Sequence, residues 1–481
     1  MKSATSLVQK VWSCAHVLKD DGLAFMDYTE QITYLLFLKI AFEQRDFGAG
    51  EIPARYSWGT LKRIHDFEKR LIRYHQGLRM LSERPGLIGL IFTKPQSKIS
   101  DPAKLDLLIR MIDSESWSDL DVDVKGEVYE GLLARNAEDV RGGAGQYFTP
   151  RPVIRAIVTV MRPEVGMLIC DPACGTGGFL LGAFEYLRTR TSDRRQLASL
   201  RNHTLHGIDL VPNVARLCAM NLFSHGIGTN PNRPVIAIAD SLRAKAQLVD
   251  MVLTNPPFGK KSSVTIVGSD RSAQRDGISY QRPDFWATTR NKQLNFVQHV
   301  YSMLKHGGRA AMVVPDNVLF EGGAGETIRR ALLAHADIHT LLRLPTGIWY
   351  SAGVKANVLF FDKRKNTADK TNLRQKDLWV YDLRRRTRAF SVRTNPIANA
   401  DLNDFVACYS PENRLARTET ERFRKFGYSD IVASDRANLD IVWPLYKAPT
   451  RKETPRALMR GIIKDLRVAM KHFQSAEKKI I

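Results

Sequence analysis

The sequence predicts an α/β fold in which a mostly parallel sheet lies between an N-terminal helical region and a basic, helical tail. Three observations support this prediction. From about residue 150, short apolar runs of strand length alternate with stretches of helical periodicity. Such alternation implies right-handed crossovers and parallel strands. The preceding stretch has few glycines and no alternating strand pattern, and the length of 481 residues exceeds one ordinary domain.

The N-terminal region, residues 1–140, is predicted to be a helical domain. Apolar side chains recur there at helical spacings, as with Ile32, Leu35, Leu36 and Ile40. The predicted helices span residues 26–44, 61–81 and 102–113.

The central region, residues 141–385, is predicted to hold the sheet. The predicted strands lie at residues 166–170, 203–208, 234–239, 249–254 and 309–315. The predicted helices between them lie at residues 177–190, 211–226 and 294–308, the last stopped by Gly307 and Gly308. Later apolar runs, expected to complete or edge the sheet, lie at residues 338–345, 355–362 and 377–383.

The tail, residues 386–481, is charge-dense and is expected to serve subunit contact. Its last part, residues 455–479, has helical periodicity. An apolar stripe follows that helix at Leu458, Ile462, Ile463, Leu466, Met470 and Phe473. Packing on its own domain and docking onto a partner subunit both remain open.

Charge and hydropathy narrow the class of protein. The formal net charge of +22 attracts polyanions, of which nucleic acid is the obvious one, although a basic enzyme or an acidic protein partner would also fit. No run approaches the roughly 20 apolar residues that span a bilayer, and the start lacks a secretory signal pattern. We therefore expect a cytoplasmic protein without a membrane partner.

The cysteines predict neither a disulfide framework nor a metal site. There are five, and no two form a CxxC pair. Cys170 and Cys174 form a CxxxC without further ligands nearby, which does not make a zinc site.

A glycine-rich turn, DPACGTGGFL at residues 171–180, follows the first predicted strand and opens a helix. Gly175 and Gly177 remove the Cβ atoms that would block a ligand, and Gly178 is expected to ease helix–strand packing. Backbone N–H groups at the helix start could then meet a carboxylate or phosphate. A tight structural turn is the alternative, and no Lys-Ser/Thr pair follows to make a nucleotide-phosphate loop.

Two aspartates end the next two predicted strands. Asp209 is placed to accept both hydroxyls of a ribose, and Asp240 can accept the exocyclic amine of an adenine ring. A helix cap is the alternative for each. Together with the glycine turn, they predict an adenosyl ligand across the carboxyl edge of a parallel sheet.

The sequence NPPF at residues 255–258 follows the fourth predicted strand. Pro256 and Pro257 fix φ and remove two donors, so nearby carbonyls are left facing the cleft. An amino group there could donate its hydrogens to the Asn255 side chain and the Pro256 carbonyl, which localises its lone pair. Phe258 offers a face on which an extruded base can stack. A plain Asn-Pro turn is the alternative.

These motifs resemble those of the amino-group DNA methyltransferases, with DPACGTGGF as donor-binding motif and NPPF as catalytic motif. The resemblance implies a Rossmann-like, S-adenosylmethionine-dependent methyltransferase fold with a mostly parallel, seven-stranded sheet. It implies donor binding by Asp171, Gly175, Thr176, Gly177, Gly178, Asp209 and Asp240. The segment GQYFTPRPV would close over the methionine end of the donor, through Gln146, Tyr147, Phe148, Thr149, Pro150 and Arg151.

Nearly the whole chain is similar to the methylation subunit of type I restriction–modification systems. The likeness includes YTEQITYLLFLKIAFE, FWATTRNKQLNFVQHV and LRLPTGIWYSAGVKANVLFFDK. It implies N6-adenine methylation of double-stranded DNA, two methylation subunits on one DNA-specificity subunit, and a restriction/translocase subunit. Family members often bind the ribose through a glutamate. This chain has Asp209 at that position, whose side chain is shorter but can fill the same role. The region after the sheet is too short for a target-recognition domain, so a partner is expected to read the site.

The implied reaction is direct in-line transfer of the donor methyl, which needs no metal. Cys174 lies in the donor turn, so a covalent cysteine mechanism is not indicated. The chemistry also leaves open an RNA or protein-glutamine methyltransferase, and a catalytically inactive scaffold is the alternative outside the enzymes.

Overall fold

The computed structural model describes most of the chain. The described residues are 4–19, 25–43, 52–95, 97–117, 148–228, 230, 232–243, 247–259, 263–267, 273–277, 280–349, 353–364, 377–385, 388–392, 394–444 and the helical positions 459, 460, 463, 466, 467 and 470. By its contacts the chain divides into two units, Met1–Asp440 and Ile441–Ile481. Within the described ranges, no helix combines the length and the apolar character that a membrane span requires.

Six helices make up the described N-terminal part. They are α1 Ala4–Lys19, α2 Phe25–Glu43, α3 Trp58–Arg63, α4 Phe67–Ser82, α5 Gly86–Ile91 and α6 Pro102–Asp113. The helices predicted at residues 26–44 and 102–113 are therefore confirmed. The helix predicted at 61–81 is two helices, because Ile64 is extended and the Asp66 side chain caps α4 by accepting from the Lys69 N–H at 3.0 Å.

In the residues that the structure describes, the first unit is built on one mixed sheet of nine strands. They are β1 Ile169–Asp171, β2 Leu205–Asp209, β3 Ile236–Ile238, β4 Val249–Thr254, β7 Leu304–Pro315, β8 Ala336–Leu344, β9 Ala356–Lys363, β10 Asp377–Asp382 and β11 Phe423–Gly427. A separate antiparallel hairpin consists of β5 Ser263–Val267 and β6 Ala273–Gly277. The order in the sheet is β3-β2-β1-β4-β7-β9-β8-β10-β11.

The α/β fold with a largely parallel sheet is confirmed, with two differences from the expected seven strands. Strands β1 to β4 and β7 pair in parallel, as do β8 and β10, whereas β9 runs antiparallel to both its neighbours. Strand β10 extends the sheet beyond β8, and β11 from the tail pairs antiparallel with β10. The described sheet therefore has nine strands, and the last of them, β11, is supplied by the tail.

Nine further helices lie in the described part of the first unit, the first of them before β1 and the others after it. They are α7 Arg151–Met161, α8 Gly178–Arg188, α9 Arg194–Asn202, α10 Pro212–Phe223, α11 Lys292–Met303, α12 Asp316–Phe320, α13 Ala324–His335, α14 Asn399–Tyr409 and α15 Tyr428–Ala433. The helix predicted to run to Gly308 ends at Met303, because Leu304 is extended and pairs with Val249 as the start of β7.

The N-terminal helices pack against the helix that follows β2. Arg216 of α10 is buried, forms an ion pair with Glu30 of α2, and donates to the Thr93 carbonyl at 3.0 Å. The rings of Phe37 and Phe223 lie 5.1 Å apart between the same two helices. Residues 118–147 lie outside the described ranges, and the domain boundaries after residues 140 and 385 remain predictions.

The second unit is described only at its helical positions. Ile463, Leu466 and Met470 of the predicted stripe are helical and exposed. Leu458, Ile462 and Phe473 lie outside the described residues.

Candidate donor-binding and catalytic cleft

The glycine turn joins β1 to α8 in a conformation that requires glycine. Gly175 has a φ of 55° and Gly177 a φ of 84°, both in the left-handed region. A Cβ on Gly177 would lie 2.8 Å from the Cys218 Sγ. A Cβ on Gly178 would lie 2.8 Å from Ile154 Cδ1, so this glycine permits contact between α8 and α7, not the helix–strand packing expected of it. The turn is therefore packed closely against Cys218 and Ile154.

Asp209 connects the end of β2 to the glycine turn. Its Oδ2 accepts from the Gly175 N–H at 3.0 Å, and its Oδ1 accepts from the Val211 N–H at 2.8 Å. Burial raises the pKa of this carboxyl above its ordinary value. Each oxygen keeps a second lone pair, so the carboxylate is oriented by the backbone and can still accept from a ligand.

Asp171 lies deeper, at the end of β1. Its Oδ1 accepts from the Thr254 hydroxyl at 2.6 Å and from the Ala173 N–H at 3.0 Å. Burial raises the pKa of Asp171 to about 7 against these hydrogen bonds. The contact with Thr254 ties β1 to the strand that leads into the NPPF sequence.

Asp240 lies just beyond β3, and both of its oxygens accept hydrogen bonds. Oδ1 accepts from the Leu242 N–H at 3.0 Å, and Oδ2 accepts from the hydroxyl of Tyr280 at 2.9 Å. Tyr280 is a buried cleft residue that the sequence did not single out. It stands after the β5–β6 hairpin, outside every motif, so no sequence signal pointed to it.

Asn255, at the start of the NPPF sequence, has one half of its side-chain amide paired. Its Nδ2 donates to the Thr149 hydroxyl oxygen at 3.0 Å, while its Oδ1 is buried and has no hydrogen-bond partner among the described residues. A buried acceptor without a partner costs about 1–3 kcal/mol, which an incoming N–H donor would recover. Pro256 is buried beside it, and Pro257 is half-buried.

Phe258 lies half-buried at the end of the same loop. Its ring centroid is 5.8 Å from that of Trp349, with the ring planes at 87°. This edge-to-face contact fixes the orientation of the Phe258 ring. Trp349, which is buried, is a second aromatic residue that the sequence reasoning missed.

The segment predicted to close over the donor reaches the same edge of the sheet. Phe148 and Thr149 are buried, Pro150 precedes α7, and Arg151 is its first residue. Through Thr149 this segment contacts Asn255 directly. Gln146 and Tyr147 lie outside the described residues.

Two adjoining cavities occupy this edge of the sheet, and Asn255 lines both. The larger encloses about 790 Å³, open solvent at its mouth included, and the smaller about 300 Å³. Lining side chains of the larger cavity include Asp209, Leu210, Asp240, Pro257, Tyr280, Lys292 and Phe296. Lining residues of the smaller cavity include Thr149, Asp171, Cys174, Thr176 and Gly178. A cleft lined by carboxylates and by a side-chain amide suits an elongated ligand that binds beside a second, amine-bearing ligand.

Metal and thiol chemistry receive no support from the described residues. Among them, no three His, Cys, Asp or Glu side chains group as metal ligands would. A hydrogen bond with Cys218 and burial raise the pKa of the Cys174 thiol well above its ordinary value, so the reactive thiolate is disfavoured.

Comparison with known proteins identifies the family of the chain. The family model described as N-6 DNA Methylase matches residues 120–453. The methylase subunit of the type I restriction enzyme EcoKI from Escherichia coli K12 is 36% identical over 488 residues, covering 91% of this chain and 87% of that subunit. The StySPI methylase subunit from Salmonella potsdam is 35% identical over 486 residues, with the same coverage of 91% and 87%.

Solved structures show the same relationship. The EcoKI M protein superposes with a TM-score of 0.54 at 30% identity, covering 99% of this chain and 96% of that chain. A protein from Vibrio vulnificus, described as a modification subunit of a type I restriction enzyme, gives a TM-score of 0.72 at 26% identity, covering 90% and 94%. The chain therefore belongs to the N-6 DNA methylase family, among the methylase subunits of type I restriction enzymes, which are adenine-specific DNA methyltransferases.

Proposed function

We propose that the cleft binds S-adenosylmethionine along the carboxyl edge of the sheet and transfers its methyl group to N6 of an extruded adenine in DNA. The observation that carries this proposal is the buried Oδ1 of Asn255, which accepts no hydrogen bond from the described residues and belongs to a residue that lines both cavities. An exocyclic amine supplies the N–H donor that this oxygen lacks. The family's activity identifies that amine as adenine N6.

The donor would lie across both cavities. Its adenosyl part fits the larger cavity, where Asp209 would accept from the ribose hydroxyls and Asp240 from the adenine amine. Its methionine part would extend into the smaller cavity toward Asp171, Thr149 and Thr176. Because Gly175 and Val211 already hold the Asp209 carboxylate, little reorganisation is needed when the donor binds.

The acceptor amine would be polarised by the NPPF loop. Asn255 Oδ1 and the Pro256 carbonyl would each accept one amine hydrogen, which localises the nitrogen lone pair toward the donor methyl. Thr149 holds the Asn255 amide group in place by accepting a hydrogen bond from its nitrogen. Phe258, oriented by Trp349, would stack on the extruded base, a contact worth about 1–3 kcal/mol.

Type I methylase subunits act with DNA and with specificity and restriction subunits. We infer that two copies of this chain assemble with one specificity subunit, which reads the DNA site. The net charge of +22 on the chain favours long-range attraction to DNA. Because DNA is the substrate, we expect the complex to work in the cytoplasm.

Transfer of a labelled methyl group tests the proposal. The full chain, with and without its specificity subunit, is incubated with S-adenosylmethionine and with double-stranded DNA, RNA or a glutamine-containing protein. We expect N6-methyladenine in DNA only, and far more of it with the specificity subunit. Label in RNA or protein alone would support the other acceptor classes, and no label in any acceptor would favour a scaffold.

A further inference from the structure

Tyr280 follows the hairpin in the sequence and lines the donor cleft. The hairpin β5–β6 separates it from the NPPF loop in the sequence, yet its side chain is buried and lines the larger cavity with Asp240 and Phe296. Its hydroxyl donates to Asp240 Oδ2 at 2.9 Å. The residue that follows the hairpin thus contacts the carboxylate at the end of the third strand.

The two hydrogen bonds on Asp240 restrict its rotation. The Leu242 N–H holds Oδ1 at 3.0 Å, and Tyr280 holds Oδ2. A carboxylate oxygen has two lone pairs, so each oxygen can accept one further hydrogen bond. With both oxygens anchored, the remaining lone pairs point in fixed directions, and an incoming amine does not have to immobilise the side chain.

We propose that Tyr280 is a positioning residue that orients Asp240 toward the exocyclic amine of the donor's adenine. It thereby makes the cleft select a 6-amino purine donor. This inference rests on the proposed function, in which Asp240 accepts that amine. Tyr280 acts through Asp240 and takes no part in the methyl transfer itself.

The surrounding segment is held independently of the Tyr280 hydroxyl. Arg282 donates to Asp284 at 2.9 and 2.5 Å, to the Leu242 carbonyl at 3.3 Å and to Ser302 at 3.2 Å. These contacts tie the segment that follows Tyr280 to Leu242 and to Ser302 of α11. Tyr280→Phe should therefore keep the fold while it removes the hydrogen bond to Asp240.

The chain offers a matched control for this substitution. Tyr381 is buried, and its hydroxyl donates to Asp404 at 2.5 Å, outside both cavities. Tyr381→Phe removes the same kind of hydroxyl–carboxylate bond without touching the donor cleft.

The test combines these variants with a change in the ligand. In complex with the specificity subunit, the full chain is titrated calorimetrically with S-adenosylhomocysteine and with the analogue in which hydrogen replaces the 6-amino group. We expect the parent to bind the analogue at least about tenfold more weakly. Tyr280→Phe should weaken the binding of S-adenosylhomocysteine about three- to tenfold and leave the affinity for the analogue unchanged. The ratio of the two dissociation constants should therefore be smaller than in the parent. KM for the donor should rise while kcat stays within about twofold.

Other outcomes are distinguishable. If Tyr280→Phe weakens both ligands equally, or leaves the ratio at the parent value, the positioning role is overturned. If the parent binds the two ligands equally well, Asp240 does not recognise the adenine amine, and the positioning role of Tyr280 is overturned as well. If the parent does not bind S-adenosylhomocysteine at all, the proposed function fails. Tyr381→Phe should match the parent in every arm.

Discussion

The side-chain amide nitrogen of Asn255 donates to the hydroxyl oxygen of Thr149 at 3.0 Å, while the buried amide oxygen accepts no hydrogen bond from any residue that the structure describes. Thr149 precedes the first strand and Asn255 follows the fourth, so the hydrogen bond joins two distant parts of the sequence at one edge of the sheet. An amide anchored through its nitrogen presents its oxygen in a fixed direction. That arrangement is what a site needs in order to polarise an amine before methyl transfer.

Thr149→Val should lower kcat by about tenfold or more, because the Asn255 amide loses its anchor and the acceptor geometry loosens. Thr149→Ser keeps the hydroxyl and should retain most of the activity. Single-turnover methyl transfer on DNA with saturating donor measures the effect. Equal rates for the valine and serine variants would show that the hydroxyl does not position Asn255.

Asp209→Ala should weaken donor binding at least about tenfold, because it removes the predicted acceptor of the ribose hydroxyls and the tie to Gly175. Asp193→Ala is the matched control, since Asp193 accepts from the Arg195 N–H at 2.6 Å as a helix cap outside both cavities. Calorimetry with S-adenosylhomocysteine compares them. Undiminished affinity in Asp209→Ala would refute the ribose role and leave Asp209 with only a structural one, as acceptor for the Gly175 and Val211 N–H groups.

Asp171→Asn should stabilise the protein at alkaline pH. Burial raises the pKa of Asp171 to about 7, so the folded protein keeps this proton at pH values where the unfolded chain has lost it. Its contribution to stability is therefore largest below about pH 4 and is lost as the pH rises through about 7.

The asparagine variant avoids ionising a buried group. Its advantage in free energy of unfolding should be about 2–3 kcal/mol larger at pH 8 than at pH 5, because the unfolded parent chain is ionised at both pH values whereas folding keeps Asp171 protonated only up to about pH 7. Differential scanning calorimetry at both pH values measures the Tm difference between variant and parent. A difference that stays constant with pH would contradict the raised pKa.

Much of the cleft could be predicted because parallel strands bring their carboxyl ends to one edge. Asp171, Asp209 and Asn255 end or follow such strands, and local patterning was enough to place them. The Asn255–Thr149 hydrogen bond depends on how α7 packs, and the Tyr280–Asp240 contact depends on the path of the hairpin. Neither leaves a periodic signal in the sequence.

The differences in the fold have similar causes. Strand β11 has the sequence FRKFG, whose charged residues do not show strand alternation, and it becomes a strand by pairing with the edge of β10. The glycines at 307 and 308 resemble a helix stop, yet α11 ends earlier because Leu304 already pairs with Val249. In both places pairing within the sheet overrides the local pattern.

The most direct test of the account is Asn255→Ala, assayed in complex with the specificity subunit for donor binding and for methyl transfer to DNA. Asn202→Ala is the control, because its side chain donates within α9 at 3.2 Å, outside both cavities. We predict S-adenosylhomocysteine affinity within about twofold of the parent and a kcat reduced about 100-fold or more. Methylation of DNA at a rate near that of the parent would contradict the central claim that Asn255 polarises the adenine amine.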